Sequence, residues 1–355
     1  MKLRKGIPLI DQHNKSGFWG GKFGGNFVPE TLKKPIEDLT ILFQKLRKDK
    51  KFIQERDYYF QNWVGAPTPF VKLENLSKVI SEIGLYETGY LPTLIGVCEI
   101  ENKFVVEDLI NTGKLKNINY DISHFDSPDR RGIDVGLIYN RDHFEIVREK
   151  SVLLKLFDPV SGDQILTRDQ HLVEGLLDGD KIYIIINHWP SRYGGAEKSK
   201  AFRNKAAELN KSIIDSIFQV DNKAKIFTIG DFNDDPTDES IKIILNVDKD
   251  QNKIYKSEMY NPYEKMFIDG FGTLKYRGKW NMFDQIIISK NLLKDFNVSK
   301  FYFEGAYIHS KPYLINQSGN YEGYPFRSFA GGNFIGGYSD HLPVYIILKL
   351  EQKLL

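Results

Sequence analysis

Short continuous apolar runs recur along the chain and end on polar side chains. Thr93-Leu94-Ile95-Gly96-Val97-Cys98 runs into Glu99, Tyr183-Ile184-Ile185-Ile186 into Asn187 and His188, and Ile226-Phe227-Thr228-Ile229 into Gly230 and Asp231. Runs of this length, bounded by turn residues, read as strands buried on both faces. The same pattern predicts strands near 118–124, 133–139, 143–147, 151–157, 163–167, 170–176, 181–187, 225–230, 283–288, 302–308 and 343–350, with Asp178-Gly179-Asp180 turning one hairpin. Between them the apolar period lengthens to that of a helix. Ile36, Leu39, Leu42, Phe43 and Leu46 share one face from Lys33 to Asp57, with Pro35 near the start. Leu73, Leu76, Ile80 and Ile83 define a second helix, Phe104, Val105 and Leu109 a third from Glu101 to Asn111, and Phe202, Ala206, Leu209, Ile213 and Ile217 a long one from Ala196 to Gln219. A short helix is expected to open at Pro236, and the glycine-rich residues 16–27 read as an irregular loop. Many strands with a few long helices between them imply an α/β fold of two packed sheets with helices on their outer faces.

Composition narrows the class. The 355 residues fit one large domain, 66–355, behind an irregular and helical N-terminal extension, 1–65. Hydrophobic residues at 41% and charged ones at 27% are those of a globular chain with a core. A net charge of +2 excludes a globally basic polyanion binder, so any nucleic-acid footprint is local. Cys98 is the single cysteine, which excludes an intramolecular disulfide and a cysteine metal cluster. No apolar run reaches the ~18 residues of a membrane span, and the apolar stretch after Met1-Lys2-Leu3-Arg4-Lys5 is too short for a signal peptide. A cytoplasmic monomer without an integral membrane segment is the expectation, unless a leader precedes this start.

An apolar strand has no use for an acid and a histidine at its mouth, because polar clusters cost stability unless they bind something. Five such endings occur: Glu99, Asn187-His188-Trp189, Gly230-Asp231-Phe232-Asn233, Phe283-Asp284 and Ser339-Asp340-His341. Carboxylates, amide and imidazoles together suit a divalent metal and a phosphate. In this order the motifs resemble the endonuclease/exonuclease/phosphatase family over roughly residues 68–350. That family includes pancreatic-type deoxyribonucleases, abasic-site endonucleases, bacterial sphingomyelinases and inositol polyphosphate phosphatases. The resemblance implies a four-layer α/β sandwich with the site at one end of the two sheets.

It also implies roles. Glu99 would be the principal carboxylate for Mg²⁺, with Mn²⁺ a substitute, and Asp340 a metal or water ligand. Asp231 would orient or deprotonate the attacking water, Asn233 would hold phosphate or water, and Asp284 would pair with His341. His188 matches the other histidine of the family; an imidazole exchanges protons near neutral pH. Asp134, on a strand whose Ile133, Val135, Leu137 and Tyr139 take the opposite face, is the expected partner of His188. Arg130, Arg131 and Arg192 are candidate phosphate contacts, since the guanidinium fork matches phosphate oxygens. Trp189 and Trp280 fit either core packing or stacking on a substrate. Glu99 has a second reading as a helix-entry acid, although Glu101 suits that capping better, and Asp231 with Asn233 has one as a turn. The expected activity is metal-dependent endonuclease action on DNA or RNA. A phosphatase, a lipid-headgroup phosphodiesterase or a weakly catalytic binding protein on the same fold are the alternatives. The family's usual first strand, ending in asparagine, has only a poor counterpart in Ile7-Pro8-Leu9-Ile10 followed by Asn14, because Pro8 cannot donate to a ladder.

Overall fold

A computed structural model describes positions 34, 38, 41–42, 45–46 and 48–52, then residues 69–248, 258–296, 299–331 and 333–350. The chain divides into two units, Met1–Phe70 and Val71–Leu355. In the first, helical positions occur between Lys34 and Phe52, but the run breaks at Asp49. There the carboxylate accepts from the amides of Lys51 and Phe52 as an N-cap does. The single helix expected from Lys33 to Asp57 is therefore interrupted, and Leu42, expected on its inner face, is exposed. Residues 16–27 and the candidate first strand before Asn14 lie outside the described residues.

The second unit takes in all but the first two residues of helix α1 (Pro69–Ile80), then the one-turn α2 (Leu85–Thr88), β1 (Leu94–Ile100), α3 (Lys103–Ile110), β2 (Tyr120–His124) and β3 (Asp134–Asn140). Next come β4 (Phe144–Val152), the short pair β5 (Leu156–Phe157) and β6 (Gln164–Ile165), β7 (Gln170–Leu177), β8 (Asp180–His188), α4 (Ala196–Val220) and β9 (Ile226–Asp231). The C-terminal third holds β10 (Val247–Asp248), β11 (Met259–Tyr260), α5 (Tyr263–Ile268), β12 (Leu274–Tyr276), β13 (Lys279–Asn281), β14 (Asp284–Ser289), β15 (Phe301–Ile308), β16 (Phe329–Ala330), β17 (Asn333–Phe334) and β18 (Val344–Leu350). Instead of a helix at Pro236, a wide helical turn forms at Ser240–Ile244. The third helix starts later than expected because Asn102, not Glu101, caps it by accepting from the Val105 amide. Its buried residues are Val106 and Leu109, and Phe104 is exposed.

The large sheet runs β10-β11-β14-β9-β8-β7-β4. Its central strands β14, β9, β8 and β7 are buried on both faces, while edge strand β4 is largely exposed, and side chains divide by parity as a pleat requires. Ile182, Ile184 and Ile186 face the inner core with Val135 and Leu137 of β3, while Tyr183 and Ile185 face α4 through Ala206, Ile213 and Ile217. The second layer comprises β1-β3-β2 and the pair β15-β18. Among the described residues β1 and β18 are each an edge. Leu73, Leu76 and Ile80 of α1 pack with α3 over β1–β3, and Val79 packs near Tyr345 of β18. The result is helix, sheet, sheet, helix, the mixed α/β arrangement expected. No described helix is long and apolar enough to cross a membrane.

Candidate active site

Backbone register alone sets three candidate residues in a row. β8 pairs with β9 in parallel so that His188 lies beside Asp231, and β14 pairs antiparallel so that Asp284 lies on the other side of Asp231. Gly230 permits this close alignment: its φ is 129°, and a Cβ there would stand 2.0 Å from the Asn187 carbonyl oxygen. A buried amide network fixes the strand ends. Asn187 Nδ2 donates to Thr228 Oγ1 at 2.8 Å, and Asn187 Oδ1 accepts from Asn210 Nδ2 at 2.8 Å and Trp189 Nε1 at 3.1 Å. Trp189 is buried edge-on to Phe232, so it packs the core. His341 arrives from the far end of the chain through a bridge between Leu274 and His341 and the Leu342 amide donating to Thr273 O at 2.8 Å. It then meets Asp284, Nδ1 to Oδ2, at 2.7 Å.

Asn233 completes the row in a left-handed conformation, φ 51°, which asparagine tolerates better than most residues. Its amide donates to Asp231 Oδ1 at 2.8 Å and its Nδ2 to the Trp189 carbonyl at 3.0 Å. His188 Nε2 stands 3.5 Å from Asp231 Oδ2, too far for a strong hydrogen bond, and its buried Nδ1 has no partner among the described residues. One ligand atom each from Asp231, Asp284 and His341 lies within 4.8 Å of the others.

These groups perturb one another. Burial pushes the Asp231 carboxyl up to about 7; the His341 charge opposes the rise and the Asp284 carboxylate adds to it. For His341, burial works against the cation, yet contact with Asp284 and the charges of Asp231 and Asp340 raise it to about 10. Burial, then the positive charges of Arg168, Arg131 and His341, hold His188 well below its ordinary value. At neutral pH the site therefore holds a neutral His188 and a protonated His341, beside an Asp231 that takes a proton more readily than an ordinary carboxylate. A buried carboxylate, Asp231, and a partly open one, Asp284, beside one imidazolium form a donor set that a hard divalent cation would relieve, so these residues fit such an ion. Asp231, Asp284 and, at the rim, Glu99 are the oxygen donors that would hold it.

Other expected residues fall into two groups. Glu99 ends β1 at a bulge, with φ 58° and its side chain 61% exposed, 3.8 Å from Arg131 Nη1. It thus lies at the mouth, and neither it nor Asp340 belongs to the compact triad. Arg131 is half exposed there, its amide held by Asp129 Oδ1 at 2.8 Å.

Two assignments are corrected. Asp134 does not pair with His188. It sits beside β2, where Oδ2 is 3.1 Å from His124 Nε2 and Oδ1 accepts from Ser127 Oγ at 2.6 Å, so its oxygens are already engaged. Arg192 is not free for a phosphate. It donates to the Asn233 carbonyl at 2.9 Å and to Asp234, Asp235 and Asp238 at 3.2, 3.2 and 2.6 Å, and it stacks on Phe283. Its donors bind the loop that presents Asn233.

Arg168 was not anticipated. Buried, it bridges Asp129 Oδ2 at 3.0 Å and the Trp189 carbonyl at 2.7 Å, joining the Arg131 loop to the end of β8. Asp235, just before the helix expected at Pro236, was not anticipated either. It accepts from the Met282 amide at 2.7 Å and so holds the approach to Asp284. Neither contact has a local sequence signal, since the partners lie 39 and 47 residues away.

The sheets, the layer order and the row of acids and imidazoles at one sheet end define a deoxyribonuclease-like fold. The sequence pattern of the endonuclease/exonuclease/phosphatase family matches residues 47–350, and the chain belongs to that family. A solved family member from Bacteroides thetaiotaomicron is 17% identical, covers 79% of this chain and 91% of its own, and superposes with a TM-score of 0.52, a likeness of fold. A mannosyl-6-phosphatase from the same organism is 16% identical over 78% of this chain and 92% of its own, with a TM-score of 0.49. Among curated proteins, the tryptophan synthase beta chain of Leptospira biflexa is 45% identical over 65 residues, 18% of this chain. The chain spans only 16% of that relative's length.

Proposed function

We propose that the chain hydrolyses phosphodiester bonds with the help of Mg²⁺, or Mn²⁺ in its place, and that its substrate is nucleic acid, cut internally. The observation that supports this reading best is the close grouping of Asp231, Asp284 and His341 at the end of adjoining strands. A bound divalent cation would supply charge neutralisation to the phosphate. The protein's own groups do the rest. Deprotonated Asp231 orients the attacking water and takes its proton. Asn233 Nδ2 lies at the same carboxylate, 3.3 Å from Oδ2, where it can steady that water or a phosphate oxygen. His341, protonated and oriented by Asp284, stabilises the charge developing on phosphoryl oxygens. Neutral His188, with Nδ1 unpaired, is available to accept or relay a proton. Arg131 at the mouth meets the phosphate backbone. Residues 66–355 carry this activity in a monomer, with 1–65 as an extension and the cytoplasm as its location.

The test is hydrolysis of plasmid DNA, a lipid phosphodiester and an inositol phosphate across a metal titration. Metal-dependent nicking of plasmid supports the reading. Turnover of only the lipid or the inositol phosphate moves the substrate class, and no turnover of any of them sinks the enzymatic assignment.

A further inference from the structure

Next to His341 stands a wall that the chemistry above does not use. The β12–β13 hairpin turns through Arg277 and Gly278, both at positive φ, 48° and 81°, the geometry of a tight two-residue turn that projects its tip rigidly. From Gly270 to Phe283 the sequence holds Lys275, Arg277 and Lys279 and no carboxylate. None of the three is in an ion pair with a described residue. Tyr276 at the tip is 60% exposed, and the Arg277 guanidinium lies 5.3 Å from its ring centroid. The loop after the single 3-10 turn Pro312–Leu314 closes against this tip. Tyr324 Oη accepts from the Gly278 amide at 2.6 Å, and the Lys275 ammonium lies 5.0 Å from the Tyr324 ring and 5.5 Å from the Trp280 ring. Tyr321, 61% exposed, stands edge-on to Tyr324 at 5.7 Å. Glu322 is the one acid in that turn.

Exposed aromatic rings flanked by cations without an ion-pair partner suit a ligand that is both flat and anionic. The wall is continuous with the site: Leu274, one residue from Lys275, bridges to His341, and Thr273 Oγ1 accepts from the Asp284 amide at 3.3 Å. We propose that Tyr276 and Tyr321, with Lys275, Arg277 and Lys279, form a stacking platform that receives single-stranded nucleic acid and leads its backbone to Asp284 and His341. The inference rests on the reading of that site as a phosphodiester hydrolase. Single strands are specified because rings of this kind need the face of a base that is not already stacked in a duplex.

The test uses the full chain, a fluorescent ten-nucleotide dT oligomer, a base-free oligomer of equal length, the dT oligomer annealed to its complement, and bis(p-nitrophenyl) phosphate. Tyr276→Ala and Tyr321→Ala are each expected to weaken dT binding about 5- to 100-fold, the span of one base–aromatic stack. Both should leave binding of the base-free oligomer and turnover of the small diester unchanged. Arg277→Ala should lower the slope of log affinity against log salt by about 0.7. Unchanged dT affinity in both tyrosine variants overturns the proposal. So does tighter binding of duplex than of single strand, or wall-dependent binding to vesicles of anionic phospholipid with none to dT. Absence of small-diester turnover by the unaltered chain with Mg²⁺ or Mn²⁺ counts instead against the hydrolase reading, and the binding arms still decide the platform.

Discussion

Two clusters in this protein are built from the same side chains, one histidine and two aspartates with ligand atoms within 4.8 Å: Asp231, Asp284 and His341, and His124, Asp126 and Asp134. Their environments differ. Around Asp134, each oxygen has a partner and the carboxyl is held below its ordinary range; burial opposes this, and His124 and Ser127 outweigh it. Around Asp231, burial and a second carboxylate drive the acid up to about 7 instead. Side chains of His124 and Asp134 are both 5% exposed, whereas Asp284 and His341 are partly open. A satisfied cluster holds a loop in place. A cluster left electrostatically dissatisfied at the end of rigid strands is set to bind and react.

The largest effect should separate the two clusters by rate. Asp231→Asn and His341→Ala are each expected to lower phosphodiester turnover by at least ~100-fold, the scale of a positioned acid or base. Asp134→Asn should leave turnover per folded molecule within a few fold. Comparable losses in all three would erase the distinction.

Stability should separate them in the opposite direction. Asp134→Ala leaves buried His124 and Ser127 without their acceptor and is expected to cost about 3–5 kcal/mol in denaturant melts. Asp231→Asn should cost nothing or stabilise in metal-free buffer. A neutral Asp134→Ala would show that its hydrogen bonds hold little.

A pH series sharpens the contrast. His171, buried behind Ser123 with 2.8 Å between Oγ and Nε2, is lowered to about 3, first by burial and then by His124. Its folded value lies below its unfolded one. The unfolded chain therefore binds the extra proton first, and stability is lost as pH falls from about 6.5 toward 3. Several kcal/mol should disappear across that window, and His171→Gln should flatten it. A profile identical in wild type and variant would remove His171 from the acid response.

The smallest of these effects belongs to Glu99 at the rim. Glu99→Gln should raise the Mg²⁺ concentration for half-maximal rate several-fold, with a weaker change for softer ions. An unchanged titration would leave Glu99 a structural residue at a bulge.

How much of this was visible beforehand follows the same division. Register within a sheet is local and periodic, so the strands that end in His188 and Asp231 and the one that begins at Asp284 could be read from their apolar runs. The pairing of Asp284 with His341 was legible only through family resemblance, since 57 residues separate them. The partner of Asp134 was misjudged because alternation tells which face a side chain takes, not which neighbouring strand meets it there. β2 competes with β8 for that carboxylate, and Ser127 on the intervening loop decides the outcome. Arg192 was misassigned for a related reason. Asp234, Asp235 and Asp238 carry no sequence signal as partners of Arg192, yet folded together they absorb a guanidinium that composition alone would offer to phosphate. The β12–β13 hairpin had no apolar run to announce it, being held by aromatic and cationic side chains rather than by a core.

The central claim is that Asp231 stands in a carboxylate pair destabilised for the sake of a cation. Its folded value, about 7, lies above its ordinary 3.8, so the stability tied to its proton is lost as pH rises through 7. The direct measurement is the thermal midpoint of wild type and Asp231→Asn at pH 8, with and without Mg²⁺ or Mn²⁺. The account predicts that the variant melts above wild type in chelator, that added metal raises the wild type, and that the variant gains little. A wild type more stable than the variant in chelator and unmoved by either metal would contradict it.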